Sequence, residues 1–129
     1  MTASPAGRHT VKLHGVVVGW SDLEETAPGQ GVAAGMFRPG VGYDLVQPIF
    51  RLYTEAVPEP GGRTSDGDKL ERYHDARDAL GLVLEDDQGR VIETNGIHIA
   101  DYSHRPNGTI RLEVLIGDRA YWSRRTPPR

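Results

Sequence analysis

Hydrophobic and polar residues alternate at the period of a strand in the first and last thirds of the chain, and at the period of a helix in the middle. Residues 11–20, VKLHGVVVGW, are rich in β-branched types and read as one strand. Lys12, His14 and Val16 fall on one face of it, and Val11, Leu13, Gly15 and Val17 on the other. Such a strand is half-buried at its start and deeper at its end.

Residues 43–57 place Leu45, Ile49, Leu52, Tyr53 and Ala56 at helical spacing, with Asp44 available as a cap. Pro48 then sits at the end of the first turn, where its missing donor costs least. Two prolines and two glycines in 57–62 break the chain. A second helix follows: Asp68 caps it, Glu71 stands three positions on, and Leu70, Tyr73, Ala76 and Leu80 form one apolar stripe. Gly81 stops it. Lys69, Glu71, Arg72, Asp75 and Asp78 face water, while Arg77 lies close to the stripe and turns its head outward.

Beyond Gly81 the period falls from about 3.6 to 2. Leu80, Leu82 and Leu84 alternate with Gly81, Val83 and Glu85, the stretch DDQG turns the chain, and 90–94 returns. Residues 96–102 form a further strand with Ile97 and Ile99 buried and His98 toward solvent. In 109–116, Ile110, Leu112, Val114 and Ile116 point inward, and Arg111, Glu113 and Leu115 outward. A short strand at 120–123 closes the pattern. Helices grouped before a run of strands imply an α+β fold. We expect a single small domain over 11–123, with a mostly antiparallel sheet of about five to six strands and two helices on one face. Residues 1–10 are expected to be a flexible segment and 124–129 a flexible basic tail.

Composition removes several classes of function. There is no cysteine, so disulfides, thiolate zinc sites and thiol nucleophiles are excluded. No run approaches the ~20 apolar residues that span a bilayer, and residues 1–10 carry no secretion-signal pattern, so a cytoplasmic protein without membrane partners is expected. The formal net charge is −3, and residues 55–87 hold ten carboxylates against four basic residues. A basic face for nucleic acid is not visible in that distribution.

Residues 29–42, GQGVAAGMFRPGVG, contain five glycines and prompt a test for phosphate binding. Gly29, Gly31 and Gly35 give G-x-G-x-x-x-G, one residue longer than the dinucleotide fingerprint, and Pro39-Gly40 would break the helix that fingerprint needs. No lysine follows, so the Walker pattern fails as well. The segment 21–42 is a connection, with either a short strand near 32–37 or a functional loop inside it.

Asp22, Glu24 and Glu25 form an acidic cluster, read as a solvated loop or a helix first turn; 85–89, EDDQG, reads as a hairpin turn, because it lacks the alternating oxygens of a calcium loop. His98, Asp101 and His104 lie in H-x-x-D-x-x-H, yet on an extended strand His98 and Asp101 point to opposite faces. None of Ser21, Ser65, Ser103 and Ser123 sits in a nucleophile motif.

What remains is aromatic and arginine content around the long connection: Trp20, Phe37, Arg38 and Tyr43, beside Asp22 and Glu24. These types dominate binding energy at interfaces. The expectation is a non-catalytic binding or interaction module, inhibitor-like or accessory, that recognises a partner through 21–43. The partner is a protein or a small ligand lodged between helices and sheet; no cofactor and no metal is expected. The alternative is a small enzyme or metal-dependent hydrolase whose carboxylate–histidine site gathers Asp22, Glu24, His74, His98 and Asp101 in one pocket. A homo-oligomer formed through a sheet edge is a further option, because 109–116 is too apolar to leave bare.

Overall fold

The computed structural model of the chain describes residues 8–58 and 67–125. Residues 1–7, the later part of the break at 57–62 and the tail beyond 125 lie outside them.

The first strand of the sequence reading is two strands. β1 (His9–Leu13) and β2 (Val16–Ser21) form a hairpin, with Leu13 opposite Val16. His14 and Gly15 both take positive φ, 47° and 84°, the two-residue geometry whose twist matches the strands it joins. The glycine was counted as a strand position; it is a turn. β1 also starts earlier than expected, inside the segment read as loose, because His9 is fully buried. A bulge near Val11 re-aims β2, leaving Val11 and Val18 both without solvent access.

The connection 21–42 changes sheets twice. It leaves β2, makes β3 (Val32–Met36) against the later strand at 110–116, and returns as β4 (Arg38–Pro39) against β2. α1 (Tyr43–Ala56) and α2 (Gly67–Leu80) follow, with α1 packed on α2, on β2 and on the strand at 94–101. β5 (Val83–Glu85) and β6 (Val91–Ile92) form the hairpin around DDQG; Asp86 Oδ1 accepts from the amides of Gln88 and Arg90 at 2.9 Å each. β7 (Thr94–Asp101) and β8 (Ile110–Ile116) complete the strands, and α3 (Arg119–Arg125) follows.

The fold is α+β, and its antiparallel strands divide between two sheets: five in the order β4-β2-β1-β5-β6, three in the order β3-β8-β7. One apolar cluster joins both: Val11, Val18 and Leu84 from the first sheet, Ile99, Leu112 and Val114 from the second, Phe50 and Tyr73 from the helices. β8 sits between β3 and β7, so the most apolar strand has no bare edge. The outer edge of β3 is bonded by the chain itself, Glu25 N to Ala34 O and Ala27 N to Val32 O, both 2.8 Å.

Three local expectations change. α1 buries Tyr43, Val46, Phe50, Thr54 and Ala56, while Leu45 stands 62% exposed; the stripe is rotated because Tyr43, bonded to Asp101, and Val46 turn inward from the first turn in place of Leu45. Its N-cap is Gly42 with no side-chain bond, so Asp44 acts only as an acidic residue of the first turn. α2 begins at Gly67, which puts Asp68 in its first turn and its cap outside the described residues. Gly81 ends α2 at φ 68°, as expected of a C-terminal stop.

The third change concerns the end of the strand pattern. Residues 120–123 are helical, because Asp118 Oδ1 accepts the Tyr121 amide at 3.1 Å and caps α3. Trp122 is fully buried there and stacks on His9, with centroids 5.3 Å apart.

Backbone closeness in the first sheet is testable at Gly19 of β2. A Cβ there would lie 2.2 Å from Phe37 Cζ and 2.4 Å from the Arg38 carbonyl oxygen. Gly19→Ala is expected to destabilise the protein by about 2 kcal/mol through overpacking. Urea unfolding checks it, and an unchanged midpoint would mean that Phe37 does not pack under β2.

Candidate functional site

The residues singled out around 21–43 do separate structural jobs. Phe37 and Tyr43 are core residues, 4% and 3% exposed, with ring centroids 5.6 Å apart. Their apolar bodies close the gap between β2, β4 and α1, so they offer no surface to a partner. Trp20 is half-buried under the Arg8 guanidinium, whose carbon lies 5.0 Å from the ring centroid. Arg38 pairs with Asp22 at 3.6 Å on the surface. Glu24 accepts the Met36 amide at 2.7 Å, and its carboxylate lies against Gly35 where a Cβ would sit. Glu25 pairs with Arg111. The acidic cluster therefore splits three ways to bind its own strands.

The carboxylate–histidine set does not converge either. Among the described residues no three histidine or acidic side chains come together as metal ligands. Asp101, fully buried, accepts from the Tyr43 hydroxyl (2.6 Å), Gln47 Nε2 (3.1 Å) and the Ser103 amide (2.9 Å) and hydroxyl (2.5 Å). Burial opposes its charge, but these bonds outweigh burial and hold its carboxyl below 3.8. His104 is exposed beyond the end of β7.

His98 is the member with a different environment from the one expected. It does turn away from Ile97 and Ile99, as alternation requires, but α1 and α2 pack over that face, so it is half-buried in a groove and not on an open surface. Its ring lies 4.3 Å from Tyr53, 5.4 Å from Tyr73 and 6.5 Å from Phe50, centroid to centroid. Burial, then the charges of Arg77 and His74, push its pKa down to about 3. Burial raises Tyr73 well above its usual range, with Arg77 pulling it back, so the hydroxyl stays protonated; it is hydrogen-bonded to His98 Nδ1.

Around this pair runs a groove between the two helices and the outward faces of β7 and β8. One cavity of about 180 Å³ is lined by Tyr53, Tyr73, His74, Arg77, His98 and Glu113. A second of about 300 Å³ shares Tyr53, His98 and Glu113 and adds Tyr102 and Arg111. A third of about 200 Å³ shares Arg77 and Gly96 with the first and reaches Asn95 at the bulge of β7. Glu113 stands opposite His98 in the β7–β8 register, and Arg111 Nε donates to it at 3.2 Å. Burial first, and then the charge of Glu113, raise the Tyr53 pKa.

Tyr53, Tyr73, Arg77, Arg111 and Glu113 were read from the sequence as helix stripe or outward strand positions. The usable signal was that His98 and Glu113 both point away from the apolar face of their strands. What the sequence lacked was the register that sets them opposite each other. No family model, curated protein or solved structure matches the chain.

Proposed function

We propose that the protein is a non-catalytic binding module that takes a small molecule in the groove between the α1–α2 pair and the β7–β8 face. One observation carries this reading: adjoining cavities share aromatic walls and a few converging polar groups, the make-up of a small-ligand site. Tyr53, Tyr73 and His98 supply flat apolar surface, and Glu113, Arg111 and Arg77 supply direction.

The same geometry counts against acid–base catalysis. A useful general base titrates near the working pH. His98, at about 3, is a weak base, and its Nδ1 is already occupied by Tyr73. Glu113 is held by Arg111. The 21–43 connection is the weaker place for a partner, since its two largest aromatics are spent on the core.

Titration of the ¹⁵N-labelled protein with a library of ring-bearing fragments tests the reading. Amide shifts are expected to gather at Gly96, His98 and Glu113, and Tyr53→Ala is expected to weaken the best binders about tenfold, the worth of one lost aromatic wall. Shifts gathered on 21–43, or no binders at all, would remove it.

A further inference from the structure

The groove is not electrostatically symmetrical, and its two arginines differ in what already holds them. Arg111 is committed at both ends: Nε donates to Glu113 at 3.2 Å and Nη1 pairs with Glu25. Glu113 is the carboxylate that faces both aromatic cavities, and it is matched by that arginine. Arg77 is held differently. Its side chain is only 18% exposed, with Cζ 5.6 Å from the Tyr73 ring centroid, and it borders both the first and the third cavity. Both Nε (3.1 Å) and Nη2 (3.0 Å) converge on a single oxygen of Asp78, a neighbour 68% exposed to water. The guanidinium also hydrogen-bonds the Tyr73 hydroxyl, while its pair with Asp78 rests on one oxygen of a water-facing side chain and yields readily to a better anion. A planar carboxylate meets the guanidinium fork with two oxygens instead of one.

A cationic ligand finds the opposite situation. It would lie beside the Arg77 guanidinium, which repels it, and would share Glu113 with Arg111, which already donates to one of its oxygens at 3.2 Å. The chemistry thus selects an acid over an amine. The ring requirement comes from the walls: Tyr53 and Tyr73, centroids 5.4 Å apart, are tilted to each other, and Tyr53 stands edge-on to His98.

From these contacts we infer that the groove binds a small planar carboxylic acid, its ring against Tyr53 and Tyr73 and its carboxylate on Arg77. The inference rests on the small-molecule reading above and specifies the ligand class. His98, kept neutral by burial, adds a flat uncharged ring on the same side.

The test is calorimetric titration at pH 7 with three probes of one shape and different charge: 2-naphthoate, 2-naphthamide and 2-naphthylmethylamine. Naphthoate is expected to bind at least about tenfold more tightly than the other two, the value of one charge-assisted contact. Arg77→Gln is expected to remove that preference, bringing naphthoate to the affinity of naphthamide in the same variant, and Arg77→Lys to keep part of it. If the amide or the amine binds as tightly as the acid, the ligand class is wrong although the groove stands. Unaltered naphthoate affinity in a folded Arg77→Gln overturns the role of Arg77. If none of the three binds, the groove reading and the ligand class fall together. Should neither variant fold, the ranking of the three probes on the native chain decides alone.

Discussion

Trp122→Ala is expected to lower the unfolding free energy by about 3–5 kcal/mol, the range for removing a fully buried large aromatic. Marginal stability makes that a large fraction of what a domain of this size has. α3 has seven residues, too few to hold a helix in water without packing. Its attachment runs through two adjacent rings: Trp122, stacked on His9 at 23° between planes, and Tyr121, whose hydroxyl meets His9 Nε2 at 2.7 Å. Loss of the indole removes the contact that orders the helix, and β1 loses the cover over a buried histidine. Tyr121→Phe is the control. It deletes one hydrogen bond and no packing, so about 1 kcal/mol is expected. Urea midpoints of the two variants decide the matter. A Trp122→Ala loss below about 1 kcal/mol would mean that α3 is not part of the core.

That helix shows where local reading fails. Tyr-Trp after a Gly-Asp turn looks like a strand by residue preference, since aromatics favour sheets. The cap at Asp118 was equally present in the sequence, and tertiary burial decided between the two. The His14-Gly15 turn was legible in principle, because Gly15 interrupts an otherwise β-branched run, but the alternation continued through it. By contrast β8, the body and stop of α2 and the DDQG turn were legible: their patterns are strong, and nothing distant contradicts them. The division into two sheets was not legible. Whether β3 pairs with β2 or with β8 depends on contacts far apart in sequence, and periodicity carries no information about partners.

The candidate site follows the same division. His98 was found from its residue type, and its face from alternation. Its burial was missed because a single strand does not reveal which helices lie over it. Phe37 and Tyr43 were correctly seen as large and adjacent to the long connection, but size is as useful to a core as to an interface. Tyr53 and Tyr73 were placed on apolar stripes, which they occupy; a stripe that closes only partly over a sheet leaves a groove, and that gap is a tertiary property.

Asp101→Ala is expected to cost about 3 kcal/mol or more and to change the acid limb of the stability profile. The carboxylate ties the end of β7 to the first turns of α1, and its removal leaves the Tyr43 hydroxyl, 3% exposed, without its acceptor. A buried orphan donor carries its full desolvation penalty, about 1–3 kcal/mol, in addition to the lost charge-assisted bonds. Asp101→Asn is expected to recover little of this. All four of its neighbouring groups donate, and an amide offers one acceptor oxygen and one more donor. The pH dependence has a definite sign. Asp101 has its folded pKa below 3.8, so its contribution is complete above 3.8 and is lost as the pH falls through the folded value. His98 acts at higher pH: neutral in the fold down to about 3 but protonated below 6.5 when unfolded, it withdraws stability progressively between those two values. Native protein should therefore weaken in two stages on acidification. Asp101→Ala should flatten only the lower stage, and His98→Gln only the upper. Denaturant midpoints measured from pH 7 to pH 3 separate them, and an upper stage that persists in His98→Gln would show that the histidine is not buried neutral under the helices.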